Sequence, residues 1–232
     1  MALRAALFDI GGTLITSSVP DPWRAPVMAR LEAAFGRQRW LDDVYDANIR
    51  RPPANDPHRQ ETTRWLATWL DEHGVELGPE HVERLRAAFA APLPAEFALT
   101  PGAGEALRWC KAHGLTVVTV SNALSSADAD VRRNCESLGI GDAVDHVVSS
   151  YSFGWEKPHP GIFERALWLA RTTPVNACMV GDDFEADVVG AKAVGMRAVW
   201  RSSHERPRGA TVFPDATIAS LEELPPILER WL

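Results

Sequence analysis

Four short stretches of this chain carry side chains able to do chemistry, and each lies at or near the end of an apolar run. Asp9 closes the run over residues 3–9 and precedes Gly11-Gly12-Thr13. Ser121 and Asn122 follow the run over 115–120. Lys157 stands in the loop Gly154-Trp155-Glu156-Lys157-Pro158. Asp182 and Asp183 follow the run ending at Gly181, with Asp187 beyond. A carboxylate that is held and aimed can act as a nucleophile, or as a hard oxygen ligand for a cation such as Mg2+. A hydroxyl and an ammonium beside it can hydrogen-bond and neutralise an anion in transfer. Taken singly, each residue has an ordinary structural explanation: a carboxylate after a strand caps a helix, and a loop lysine is a solvated charge. Only their convergence would carry meaning, and convergence depends on the elements that position them.

Those elements alternate. The run over 3–9 breaks at the glycines, as a buried strand entering a tight turn does. From residue 102 onward, helical periodicity over 102–113, 125–138, 160–170 and 187–194 alternates with apolar runs over 115–120, 143–149, 177–180 and 196–200. Strand–helix alternation with short links predicts an α/β fold, a doubly wound parallel sheet. Such sheets bind ligands at the carboxyl ends of their strands, which would gather all four stretches on one edge. Between residues 17 and 96 the character differs. Prolines cluster at 20–26, 52–57 and 92–94. Helical periodicity runs over 27–35, 62–73 and 79–91, and no strand is evident. This predicts a core of residues 1–16 and 97–232 with an all-helical domain, 17–96, inserted between. Trp40, Trp65 and Trp69 read as packing residues of that insert.

Composition agrees with one core plus an insert. The chain has 232 residues, 46% apolar and 24% charged, enough for an ordinary globular core. Its net charge of −7 argues against a nucleic-acid or anionic-membrane partner. Cys110, Cys135 and Cys178 are odd in number and widely spaced, which fits reduced, buried thiols rather than disulfides or a zinc site. The N-terminal apolar run is too short for a signal peptide, and no stretch approaches the ~20 apolar residues of a membrane span. A cytoplasmic monomer or homodimer is the expectation.

FDIGGTL at 8–14, VVTVSNA at 117–123, EKP at 156–158 and VGDDFEADVVGAKAVGM at 180–196 resemble, in order, the four motifs of the haloacid dehalogenase (HAD) superfamily. The matches span residues 3 to 200; the first and fourth are specific, the second and third weak without them. The resemblance implies a Rossmann-like core with a helical C1-type cap. It further implies a Mg2+-dependent hydrolase, a phosphatase acting on a small phosphorylated metabolite through an aspartyl-phosphate at Asp9. Lys157 would neutralise the nucleophile and the transferring group. Ser121 would hydrogen-bond the phosphoryl oxygens, with Gly12, Thr13 and Asn122 contributing to substrate binding. Asp9, the backbone carbonyl of Gly11 and Asp182 would ligate Mg2+, and Asp183 and Asp187 would hold metal waters or Lys157. Arg50, Arg51 and Arg59 of the insert could receive an anionic substrate tail.

One position departs from the family pattern. The phosphatases carry a second Asp two residues after the nucleophile, which protonates the leaving oxygen and then activates water; here that position is Gly11. Such acid–base catalysis is worth roughly 10²–10⁴-fold. Either turnover is slow, or the leaving group is good, or the insert lends an acid from His58, Ser17 or Ser18. Phosphonoacetaldehyde hydrolases also carry a small residue here but need a cap lysine, and residues 17–96 contain none. Haloacid dehalogenases need no proton for halide, yet they lack the Gly-Asp that this chain keeps at 181–182. A catalytically impaired binding or regulatory protein is the rival from another class.

Overall fold

The computed structural model describes residues 2–51, 61–202 and 204–232. Six parallel strands form one sheet: β1 (Ala5–Phe8), β4 (Thr116–Ser121), β5 (His146–Ser149), β6 (Ala177–Gly181), β7 (Arg197–Arg201) and β8 (Ala216–Ile218). Their order is β5-β4-β1-β6-β7-β8, so the first strand lies in the middle. The chain winds outward from β1 through β4 to β5, then returns to β6 on the other side and continues to β8. That reversal opens a crevice at the carboxyl end of β1.

The period-two alternation of each strand assigns its side chains to two apolar layers. Ala6 and Phe8 join one layer with Val117, Cys178 and Val180; Ala5 and Leu7 join the other with Val118, Val120 and Met179. The first layer is covered by α5 (Ala103–Ala112), α6 (Asp128–Ser137) and α10 (Leu224–Glu229), which contribute Leu107, Val131 and Leu228. The second is covered by α8 (Pro160–Leu169) and the short α9 (Gly190–Ala193), which contribute Phe163 and Ala191. Both faces being covered is why these strands are near-continuous apolar runs. The three cysteines are buried and free, as expected. Burial pushes the Cys135 thiol up to about 11. No helix among the described residues is long and apolar enough to cross a membrane.

Between β1 and α5 the chain leaves the sheet. Helices α1 (Arg24–Phe35), α2 (Trp40–Ile49), α3 (Thr62–Glu72) and α4 (Pro79–Phe89) pack around their own apolar cluster of Leu31, Val44, Leu66 and Leu85. Trp69 is buried in it, and Trp40 and Trp65 pack against it. Two short strands at the junction, β2 (Ile15–Ser17) and β3 (Phe97–Leu99), pair antiparallel, Ile15 opposite Leu99 and Ser17 opposite Phe97. Periodicity could not reveal them, because three residues make no pattern and their stability comes from each other. Helix α2 was also unread: its buried face, Leu41, Val44, Tyr45 and Asn48, is short and ends in a polar residue, and no side chain caps its start.

Other boundaries moved for local reasons. Residues 141–143 form a 3-10 turn, so β5 begins later than the apolar run. The helical stretch expected from 187 starts at Phe184, because the Asp183 side chain accepts the backbone N–H groups of Glu185 and Ala186, both at 2.9 Å. It runs as a wide π-type turn, Phe184–Val189, into α9.

The two connections to the insert are fastened at Thr100, 2% exposed, whose hydroxyl donates to the Thr13 carbonyl at 2.6 Å while its N–H donates to that of Leu14. Thr100→Val keeps the shape and orphans a buried acceptor. It is expected to cost about 1–3 kcal/mol in urea unfolding; an unchanged midpoint would show that this bond does not hold the junction.

Candidate active site

The sheet register sets the site. Phe8 lies beside Thr119 on one side and Val180 on the other, and the ladder continues as the Asp9 N–H donates to the Val180 carbonyl at 2.9 Å. Asp9, Ser121 and Asp182 therefore emerge at the same edge from three adjacent strands. Asp9 is 8% exposed and lines a cavity of about 790 Å3 with Gly11, Ser121, Lys157, Asp182 and Asp187.

Lys157 is held by its backbone. After β5 comes a short helix, α7 (Ser150–Phe153), which ends at Gly154 in the left-handed region, φ 97°. The loop that follows docks on Asn122. The Asn122 Oδ1 accepts the Lys157 N–H at 2.8 Å, and its Nδ2 donates to the Lys157 carbonyl at 3.0 Å. The side chain then runs inward, 2% exposed, and Nζ donates to Asp9 Oδ1 at 2.6 Å and to Asp187 Oδ1 at 2.7 Å. Burial opposes the charge on Lys157, but Asp187 and Asp9 outweigh it, so its pKa lies above the ordinary lysine value. Burial pushes the Asp187 carboxyl well above the usual carboxylate range; Lys157 pulls it down, and Asp9 adds to the rise.

The second acid is placed by close approach. Thr13, fully buried, donates its hydroxyl to Asp182 Oδ1 at 2.8 Å. Gly12 has φ 78°, and a Cβ there would sit 2.2 Å from Asp182 Oδ2. A Cβ at Gly181 would sit 2.1 Å from Asp187 Oδ2, so both glycines exist to let carboxylates reach the backbone. Trp200 Nε1 donates to the Asp182 carbonyl at 2.9 Å, and Arg201 donates to the Gly12 carbonyl. Burial, and then Asp9, raise the Asp182 pKa, while the Thr13 hydroxyl lowers it. Oxygens of Asp9, Asp182 and Asp187 lie within 4.8 Å of one another, an acidic cluster able to hold a divalent metal.

Several residues expected to touch substrate do other work. The Thr13 hydroxyl is committed to Asp182, and both ends of the Asn122 amide are committed to Lys157, although Asn122 still borders the cavity. Asp183 and Asp187 were expected to hold metal waters or Lys157: Asp187 does hold Lys157 and also accepts the Asp183 N–H at 3.0 Å, while Asp183 caps the following helical turn. Arg50 is exposed at the end of α2 and absent from the cavity wall. Arg51 turns inward instead: it is buried, donates to Thr62 Oγ1 at 2.7 Å and to Asn48, and stacks on Trp65 at 4.7 Å. A guanidinium beside an aromatic face and two acceptors is better satisfied inside the insert than facing substrate. His58 and Arg59 lie outside the described residues. Ser17 borders the cavity, with its Oγ accepting the Val19 N–H at 3.1 Å, and Ser18 does not border it. Unread in the sequence were Asp21 and Tyr45, which also form the wall; their pairing spans 24 residues and leaves no local signal.

A lysine gripping a strand-end carboxylate, with a Gly-Asp pair alongside, narrows the comparison with known proteins. Residues 3–195 match the haloacid dehalogenase-like hydrolase family. The chain belongs to this family. Among relatives of this HAD-like hydrolase, the phosphoserine phosphatase of Thermus thermophilus is 30% identical over 234 residues, covering 95% of this chain and 90% of that protein. Haloacid dehalogenase-like hydrolase domain-containing protein 3 of Bos taurus is 36% identical over 105 residues, 45% of this chain and 40% of that protein. The matched part is thus under half the length of the bovine relative. A HAD phosphatase from Thermococcus onnurineus superposes with a TM-score of 0.62 at 26% identity, covering 97% of this chain and 98% of that one. A 2-haloacid dehalogenase from Pseudomonas syringae superposes at 0.71 with 21% identity, covering 99% of this chain and 100% of that one, a likeness of fold alone.

Lys157→Met removes the charge and keeps the volume, leaving two buried carboxylates uncompensated. The expected cost at pH 8 is about 3–5 kcal/mol. Because the folded-state pKa of Asp187 is raised, its protonated form is favoured by folding. Removing Lys157, which pulls that pKa down, raises it further, so the deficit should shrink as pH falls from 8 and the Asp187 carboxyl takes up a proton. Urea titrations at several pH values would read this, and a pH-independent deficit would contradict it.

Proposed function

We propose that this chain is a Mg2+-dependent phosphatase that transfers the phosphoryl group of a small phosphorylated metabolite to Asp9 and then to water. The observation that carries the reading is the Asp9 carboxylate, nearly buried at a strand end, held at 2.6 Å by an ammonium and open to a cavity shared with Asp182. Three carboxylates against one ammonium leave an excess of negative charge, and this donor set of hard oxygens fits Mg2+. Both Asp187 oxygens are already engaged, so Asp9 and Asp182, with the Gly11 carbonyl, would hold the ion. When bound, Mg2+ supplies Lewis-acid neutralisation of the phosphoryl charge.

The chain's own residues account for the rest. An oxygen of Asp9 attacks phosphorus, the P–O bond to the leaving group breaks, the leaving oxygen takes its proton from solvent in the cavity because Gly11 offers none, and an acyl phosphate forms that water hydrolyses. Lys157 offsets charge on Asp9 and on the transferring group, and Ser121, at the cavity wall, donates to a phosphoryl oxygen. The helical insert acts as the cap that encloses substrate. The phosphatase named among the relatives supports phosphoryl transfer over carbon–halogen cleavage. Asp9→Asn is expected to abolish Mg2+-dependent phosphate release from p-nitrophenyl phosphate. Retained turnover, or metal-independent halide release from haloacids, would overturn the assignment.

Gly11 favours a second reading, a binding protein with impaired chemistry, and one substitution separates the two. A Cβ at Gly11 meets nothing within 4 Å, and the backbone is not in the left-handed region, so an aspartate fits. Gly11→Asp is expected to raise phosphate release by about 10²-fold or more, as general acid–base catalysis contributes. A folded Gly11→Asp variant without a gain would mean that more than the proton shuttle is missing.

A further inference from the structure

The insert's share of the cavity wall has a definite charge. Val19, Pro20, Trp23, Ile49, Phe89 and Leu93 make it mostly apolar. Its polar groups centre on Asp21, which is exposed and borders the cavity. One oxygen, Oδ1, accepts the Tyr45 hydroxyl at 2.9 Å, and among the described residues Oδ2 has no partner. Arg24 lies over the Tyr45 ring at 4.9 Å but is already shared between Asp46 at 2.6 Å and Asp42 at 2.7 Å. Three carboxylates therefore face one guanidinium around Tyr45. Among the described residues, no Lys or Arg of the insert borders the cavity.

An anionic leaving group would meet Asp21 and, among the described residues, no compensating cation on this wall. A neutral one could at most donate a hydrogen bond to Asp21 and would leave its charge without a counter-ion. An ammonium on a short apolar body would pair with Asp21 and lie against Trp23, whose ring packs on Phe97 at 5.5 Å. Resting on the phosphatase reading, we propose that Asp21, oriented by Tyr45, is a specificity determinant selecting phosphate esters whose leaving group carries an amine.

The test uses the whole chain with Mg2+ and three phosphonates of one chain length, ω-aminoalkyl, ω-hydroxyalkyl and ω-carboxyalkyl, measured by calorimetry. The expected order of affinity is amino, then hydroxy, then carboxy, with about tenfold or more between the first two, as for a hydrogen bond to a charged group. Asp21→Asn should bring amino and hydroxy together, and Asp21→Glu should restore part of the gap. Equal binding of all three, or a carboxyalkyl preference, overturns the inference. So does an amino preference that survives Asp21→Asn. Phosphate release from the matching esters separates the two claims. Phosphonates that bind in the expected order while no ester is hydrolysed count against the phosphatase reading alone. Ester hydrolysis without that order counts against Asp21 alone.

Discussion

A lysine ammonium buried between two aspartates is the constraint on which the site depends. Lys157, at 2% exposure, keeps its charge through Asp9 and Asp187, and its ammonium in turn pulls the Asp187 carboxyl back toward the ionised form. The three arrive from a strand end, a loop and a helical turn, so the ion triad closes only when the sheet, the loop after α7 and the turn after β6 are all in place. Other local features follow from it. Asn122 clamps the Lys157 backbone, Gly181 lets Asp187 approach, and Asp183 starts the turn that carries Asp187.

Beside this triad sits the part that remains negatively charged. Asp182 is steadied by a buried hydroxyl and packed against a glycine rather than matched by a cation. The result is a divided floor, neutralised at Lys157 and acidic toward Asp182, which suits a site meant to receive both a cation and an anion. The insert adds a third region, apolar with Asp21 at its polar centre, where a leaving group would rest. In the proposed reading the catalytic groups gather at the carboxyl edge of the sheet, while Asp21 belongs to the insert, just before α1, a separation that would let one sheet serve many substrates.

Much of the fold was legible because its signals are local. Buried parallel strands announce themselves as β-branched apolar runs, as in Val117–Val120, and helices as periodic faces. The same locality explains the omissions. The β2–β3 pair is stable only as a pair, and β8 has three residues. Asp21 and Tyr45 meet across 24 residues of chain. Arg51 shows the opposite failure. Its residue type fits anion binding, but an aromatic ring and two acceptors draw it inward.

By itself the sequence determined the alternation of the longer strands and helices, the helical character of the segment between the first two core strands, and the identity of the residues at each strand end. It also determined the glycine at position 11, a feature no folding can alter. Tertiary structure alone decided which of those residues face substrate and which hold one another. Thr13, Asn122, Asp183 and Asp187 are polar residues in family motifs, yet their hydrogen bonds are spent inside the protein. For the buried Thr13 and Asp187 the physical reason is that a buried polar group must find a partner; for all four the partner is set by distance in space, which spacing along the chain does not encode.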